Sequence, residues 1–387
     1  MKKTALLLVL AAGLAHADEP LRLDTHLDTP IHFGRAGWDI MTRHTYHDDM
    51  SQVDYPRMVE GGLDGGFFVL YTPQGPLTAE GYAAARDWAL MRSVHIHEMA
   101  AAHSDKFELA FKADDAARIK AAGKRVVFQS IENSYPLGTD LSLLETFRRL
   151  GVRMAGPVHF LNNQFGDSAT DKPHFHGFSP LGKKWVAEMN RLGLVIDGSH
   201  SSDDVFDQML ALSKAPIILS HSGCKAIYDH PRNLDDGRIK QLAAKGGVIQ
   251  INSVYLAKRE PNEAMSAVDD RLEVVDQLSP DEQARLMADY QAASANDHRP
   301  RANFDMFMQN LLHAIQVAGI DHVGIGADWD GGGGVIGLED VADLPKVTTA
   351  LKAAGYSDAD VAKIWSGNVL RVMRAAEEVA ARISASH

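Results

Sequence analysis

Short apolar runs rich in Val, Ile and Phe recur along the chain, and most are followed by a stretch whose apolar positions fall three and four residues apart. After an opening run at 21–28 they occupy 65–71, 125–132, 152–159, 194–200, 216–221, 247–253 and 322–328. Runs of this length with β-branched and aromatic residues predict strands, and the intervening periodicity predicts helices, for example over 80–103, 141–150, 180–192 and 203–212. Several of these helices begin at a Ser, Thr or Asp able to accept from the free N–H groups of a first turn. Eight strands alternating with helices is the count of an α/β protein built as a (β/α)8 TIM-type barrel. One polar segment, 257–302, interrupts the alternation after the seventh strand. It has helical character near 279–292 and is expected to form a lid, a dimer surface or a solvated helical excursion.

The first 17 residues have a different pattern. Lys2 and Lys3 precede an apolar run over 5–14 and the small-residue triplet Ala15-His16-Ala17, the order of a secretory signal, with cleavage expected after Ala17. The expected organisation is thus a signal peptide over 1–17 and one barrel domain over 18–387, exported to a periplasm or secreted. No later segment has the ~20 uninterrupted apolar residues of a membrane-spanning helix. A formal net charge of −12 argues against a nucleic-acid partner, which would require a basic face. Cys224 is the single cysteine, so no internal disulfide is possible. It is read as a packed residue rather than a nucleophile.

Polar residues of one chemical kind close the predicted strands. In the opening run Asp24, His26 and Asp28 alternate and are expected to project from one face, where an imidazole and a carboxylate suit zinc. The same alternation also describes an ordinary half-exposed strand. Glu132, His159, His200, His221 and Asp328 end later runs. A barrel gathers the carboxyl ends of its strands at one face, so these residues are expected to converge there. The glycines at 331–334 lack the Lys-Ser/Thr of a phosphate-binding loop and read as a flexible turn beside Asp328 and Asp330.

In order along the chain, Asp24-Thr-His26-Leu-Asp28, Ser130-Ile-Glu132-Asn, Gly156-Pro-Val-His159, Ile196-Asp-Gly-Ser-His200, Ile218-Leu-Ser-His221-Ser, His230-Pro-Arg232-Asn and Val323-Gly-Ile-Gly-Ala-Asp328-Trp-Asp330-Gly resemble the membrane (renal) dipeptidases, zinc metallopeptidases with an amidohydrolase-type barrel. Further similarity continues through Gly337-Leu-Glu-Asp and Gly367-Asn-Val-Leu-Arg. The resemblance implies two zinc ions bridged by Glu132, one held also by His26 and Asp28 and the other by His200 and His221, with open positions for a shared water acting as hydroxide. It further implies that Asp328 accepts the water's proton, that His159 stabilises the oxyanion, and that Arg232 grips the free carboxylate of a dipeptide, including dipeptides ending in a D-residue. A homodimer is implied as well. Arg232 could alternatively pair with Asp235 or Asp236, and His159 could cap its strand.

The segments after His159 and His221 depart from the family pattern, as does Trp329, which is expected to narrow the pocket in place of Phe. These departures leave open L,D-dipeptides, L,L-dipeptides and N-acyl amino acids as substrates. An amidohydrolase acting on N-acyl amino acids or β-lactams is the alternative enzyme. A binding protein on a decayed scaffold is the alternative of another class, and the intact set of six metal-binding and proton-accepting residues argues against it.

Overall fold

The computed structural model describes residues 20–295, 297 and 301–386, so the expected signal segment lies outside the described residues. Ten strands occur in the order β1 (Leu23–Leu27), β2 (Gly65–Leu70), β3 (Phe107–Leu109), β4 (Arg125–Ile131), β5 (Val152–Ala155), β6 (Val195–Ile196), β7 (Ile218–Cys224), β8 (Asn233–Leu234), β9 (Val248–Ile251) and β10 (Val323–Ile325). One sheet runs β1-β2-β4-β5-β6, with β3 beside the start of β4, and the other runs β10-β9-β7-β8. Every ladder is parallel.

Two single bridges close the ring. Asp197 pairs with Ile218 between β6 and β7, and Leu27 pairs with Trp329 between β1 and the end of β10. The eight predicted strands therefore form a TIM-type barrel in sequence order. The two additional strands, β3 and β8, are three and two residues long, too short for an alternation to show in the sequence.

At each seam the ladder is reduced, and a buried carboxylate takes over its hydrogen bonding. Asp24 on β1 accepts from the backbone N–H of Ala327 beyond β10 (3.1 Å) and from that of His26 (2.9 Å). Asp197 beyond β6 accepts from the N–H of Ser220 on β7 (2.9 Å) and from that of Ser199 (2.9 Å). Both carboxylates are buried, and each satisfies backbone donors that a full ladder would otherwise pair. Burial pushes the Asp24 carboxyl up to about 7.

The predicted helices form where expected, at Ala79–Ala102, Leu143–Leu150, Pro180–Leu192 and Asp203–Leu212. Three start on a capping hydroxyl: Thr78, Ser179 and Ser202 accept from the N–H groups of Gly81, Gly182 and Val205. At the strand starts, Leu23, Val126, Val195, Ile218 and Val248 form one apolar cluster with Val369, Leu370, Val372 and Met373 of the C-terminal helix Asn368–Ala385. That packing closes the barrel's amino end and leaves the carboxyl ends of the strands for the site.

The 257–302 segment contains helices Glu263–Leu272 and Pro280–Ala295. They share a separate apolar cluster, in which Met265, Val268, Leu272, Val275, Leu286 and Tyr290 meet Ile31, Tyr46 and Met50 of the region after β1. These two helices thus pack onto the region after β1, and residues of the first line the cavity, as expected of a lid and not of a solvated excursion, with the dimer-surface expectation left standing. Among the described residues no helix is long and apolar enough to cross a membrane.

Candidate metal centre

Most predicted strand runs overshoot the observed strands, by up to four residues, and most of the site residues sit in the overshoot; β7 instead continues three residues past its predicted end at His221. Glu132 follows β4 directly, Asp28 follows β1, Asp328 lies in the loop after β10, and His159 and His200 lie in the loops after β5 and β6. Only His26 and His221 are within strands. His200 and Asp328 have left-handed backbones, with φ of 66° and 68°, a conformation uncommon for residues with a Cβ. Such strain is found where surrounding structure fixes a side chain's direction for function.

The side chains meet on one atom. The Nε2 atoms of His26, His159 and His221 each lie 3.5 Å from Glu132 Oε1, and that of His200 lies 3.1 Å from it. His200 Nε2 and His221 Nε2 are 2.9 Å apart. On the other side, His26 Nε2 is 3.5 Å from Asp28 Oδ2 and 3.9 Å from Asp328 Oδ1. Asp24, expected to join His26 and Asp28, instead turns to the seam. A register shift in β1 between Asp24 and Leu27 breaks the two-residue alternation on which that expectation rested.

The electrostatics suit cations. Burial, reinforced by the nearby Arg232 charge, holds His159 and His200 well below the usual imidazole range. Burial and the His26 charge do the same for His221, leaving all three neutral, so that His200 and His221 can offer a lone pair. Burial also disfavours a charge on His26, but the facing carboxylates of Asp28 and Glu132 outweigh it and hold its pKa well above normal. Burial raises Glu132, and raises Asp328 well above the carboxylate range. His26 Nε2 is buried and has no hydrogen-bond partner. An orphaned imidazole nitrogen facing three carboxylates, beside two imidazoles converging on the shared carboxylate, is a donor set that fits divalent cations of the zinc type.

Behind these groups the seam residues hold the rings. The Ser220 hydroxyl lies 2.9 Å from His221 Nδ1, donates to Asp197, and is 3.5 Å from His26 Nδ1. One Ser–Asp pair therefore orients an imidazole on each side of the cluster, the kind of support that fixes ligand tautomer and direction.

Arg232 is buried and makes no ion pair with the acids beside it in sequence. Asp235 pairs with Arg238 at 2.6 Å, and Asp236 with His313 at 2.8 Å. The Arg232 guanidinium donates to the His221 carbonyl (3.1 Å), lies 5.2 Å from the Tyr255 ring centroid and leaves Nε unpartnered. His159 does not cap its strand, since β5 ends at Ala155. Its ring stands against Tyr71 and His200, with centroids 4.8 and 4.2 Å away.

A cavity of about 380 Å³ opens over the cluster, lined by Asp28, Glu132, His159, His200 and Asp328 from the barrel and by Met265, Leu272 and Glu273 from the lid. That is near the lower end for small-ligand sites. Gly331 is part of its wall: a Cβ there would fall on the carboxylate oxygens of Asp28 and Asp328, so the turn read as merely flexible must be glycine to let backbone approach the site. Trp329 lies in the apolar core and is absent from the cavity lining, so it does not narrow the pocket. Cys224 is fully buried, and burial pushes its thiol up to about 12, which leaves it inert as a nucleophile.

Three contributors had no motif of their own: Tyr71 and Ser220 sit inside predicted strands, where hydroxyls are unremarkable, whereas Glu273 reaches the cavity only through the lid. The lone available hint was Ser220's position immediately before a candidate ligand.

The model of the membrane dipeptidases (peptidase family M19) matches residues 16–387. Dipeptidase tcpJ of Claviceps purpurea is 32% identical over 369 residues, covering 92% of this chain and 77% of the relative. Among solved structures, the probable dipeptidase PvdM from Pseudomonas aeruginosa superposes with a TM-score of 0.80 at 30% identity, covering 96% of this chain and 99% of that one. A metallopeptidase from Rhodobacter sphaeroides, solved with a phosphinate mimic of the dipeptide L-Ala-D-Ala, gives 0.73 at 25% identity, covering 93% and 100%.

Proposed function

This chain belongs to the membrane dipeptidase family of metallopeptidases, and from that membership and the site's geometry we propose that it hydrolyses the single peptide bond of dipeptides at a centre of two zinc ions. The observation that carries the proposal is the convergence of His26, His159, His200 and His221 on Glu132 Oε1, within 3.5 Å, beside a buried guanidinium with an unpartnered Nε. Glu132 would be shared between the ions, His26 and Asp28 would complete one site, and His200 and His221 the other. When bound, the two ions supply an activated water and polarise the scissile carbonyl.

The chain's own groups then do the rest. Asp328, adjacent to His26, takes a proton from the attacking water and delivers it to the amine as the C–N bond breaks, so that hydroxyl and hydrogen are shared between the two products. The neutral His159 ring donates from Nε2 to the oxygen on which charge develops. Arg232 holds the substrate's free carboxylate. With the lid across the mouth and a cavity of about 380 Å³, a short substrate is accommodated and a long one is not. Acceptance of a D-residue at the carboxyl end is proposed by analogy with the L-Ala-D-Ala mimic bound to the Rhodobacter relative. Export, from the signal-like pattern of residues 1–17, and a homodimeric state are proposed alongside.

The test pairs a metal count with amino-acid release from L,L- and L,D-dipeptides, N-acyl amino acids and a β-lactam, for the natural chain and Glu132→Ala. Near two zinc ions with dipeptide cleavage, both reduced by the substitution, is the expected result. Cleavage confined to N-acyl amino acids or the lactam would overturn the dipeptidase assignment.

A further inference from the structure

Across the barrel from Arg232, which is buried and is not itself part of the cavity lining, stands a carboxylate that the chemistry above does not use. Glu273 ends the lid helix Glu263–Leu272 and lines the cavity, and its Oε2 accepts from the Tyr71 hydroxyl at 3.2 Å. Tyr71 directly follows β2, its ring tilted against that of His159, which places Glu273 on the β2 side of the barrel. Arg232 hangs from the His221 carbonyl on β7. In the ring order β1-β2-β4-β5-β6-β7-β9-β10, β2 and β7 are opposite one another. With a dipeptide's carboxylate on the Arg232 side and its peptide bond over the His26–Glu132 cluster, its amino-terminal residue would lie on the Glu273 side.

Glu273 is held there by a clasp. Arg92, buried in helix Ala79–Ala102, donates from Nε and NH2 to the Asp276 carboxylate (3.0 and 3.3 Å), from NH2 to the Glu273 carbonyl (2.9 Å), and from NH1 to the Tyr71 carbonyl. The Trp88 indole N–H also donates to Asp276, at 3.0 Å. These commitments direct the Arg92 donors to groups other than the Glu273 side chain, which makes no ion pair among the described residues. A carboxylate at a helix carboxyl end also faces the negative pole of the helix dipole. Burial, aided by the Glu132 charge, pushes Glu273 up to about 7. Arg92 is thus near enough to be felt by the Glu273 carboxylate but spends its donors elsewhere, so that no direct ion pair forms there among the described residues.

We propose that Glu273 is a specificity-determining residue whose carboxylate receives the cationic side chain of the substrate's amino-terminal residue, so that the enzyme prefers dipeptides beginning with lysine or a similar long-chain amine. The proposal rests on the dipeptidase assignment and goes beyond it by naming the substrate class. Lysyl-alanine and norleucyl-alanine differ at that residue by the terminal ammonium, and comparing them on one protein sample makes folding differences cancel. The natural chain is expected to show a higher kcat/KM for lysyl-alanine. Glu273→Gln, which keeps an acceptor for Tyr71, is expected to lower the ratio about tenfold, the usual worth of a charge-assisted contact. Glu273→Lys is expected to invert the preference towards glutamyl-alanine. An unchanged ratio in Glu273→Gln overturns the proposal, as does an equal fall for both substrates, which would mean that the carboxylate meets the α-ammonium common to them. If the natural chain cleaves norleucyl-alanine without preferring lysyl-alanine, the selectivity fails while the dipeptidase assignment stands. If it cleaves neither, the assignment itself fails.

Discussion

Replacing Asp276 with Ala removes the acceptor at the centre of the lid clasp and leaves Arg92 as an uncompensated charge. Both side chains are 1% exposed, and Asp276 takes two donors from Arg92 and the Trp88 indole. Breaking one member of a buried pair ordinarily costs about 3–5 kcal/mol. Here the loss has a ceiling, because the lid can undock and let water reach Arg92 while the barrel stays folded. The contacts resisting this are Ile31, Tyr46 and Met50 against the lid's apolar cluster and a set of individually weak hydrogen bonds, among them Tyr290 hydroxyl to Tyr46 carbonyl (2.6 Å), Ala36 N–H to the Gln283 side chain (2.8 Å) and Gln291 side chain to Asp48 carbonyl (2.9 Å). We therefore expect the penalty to appear as local opening. A loss of about 3 kcal/mol corresponds to roughly a 100-fold larger open population. Limited proteolysis followed by mass spectrometry should show faster cleavage within 257–302 by up to that factor, since cleavage follows the open fraction when reclosing is fast. The midpoint of global denaturant unfolding should move little. An unchanged cleavage rate in 257–302 would refute the clasp as the lid's anchor.

Three further outcomes follow from the same contacts. Ser220→Ala, which frees the His221 and His26 rings from Asp197, should weaken zinc affinity about 10–100-fold in competition with a chelator, and a change within twofold would exclude the positioning role. Cys224 should resist a thiol reagent at pH 8 in the native protein and react at once in denaturant, whereas rapid native labelling would contradict its burial and its thiol pKa of about 12. Glu273 keeps its proton up to about pH 7 in the folded chain, against 4.5 for the free side chain, so the folded state binds more protons in that window. Its contribution to stability should fall as pH rises from 4.5 to 7, and Glu273→Gln should flatten that part of a denaturation–pH profile relative to the natural chain.

The barrel was legible because each of its eight strands is an apolar run long enough to register, and because helices such as Pro180–Leu192 carry both periodicity and a capping residue. The ligand-type residues were legible as polar stops on those runs. What the pattern could not supply was where a strand ends and a loop begins: His159 and His200 belong to loops, and the left-handed backbone at His200 is a tertiary constraint with no local signature. Asp24 was misplaced for a related reason, since strict alternation fails at an irregularity in β1 that reflects the seam with β10. The Arg92–Asp276 clasp joins residues 184 positions apart, and neither carries a motif.

The two seams also explain how a site so unfavourable in charge can be assembled. Asp28, Glu132 and Asp328 approach one buried imidazole, and burial together with the neighbouring carboxylates favours the protonated forms of Glu132 and Asp328. Attraction among these groups is a poor guide to geometry, because it changes with every proton. The geometry is fixed instead by Asp24 and Asp197, whose carboxylates bind backbone N–H groups on both sides of the gaps between sheets. At those gaps the backbone pairing is reduced to single bridges, and the aspartates satisfy the donors left behind. Cation binding then exchanges protons for metal at a site already shaped, so affinity should rise with pH as Glu132 and Asp328 become easier to deprotonate, without any refolding of the barrel.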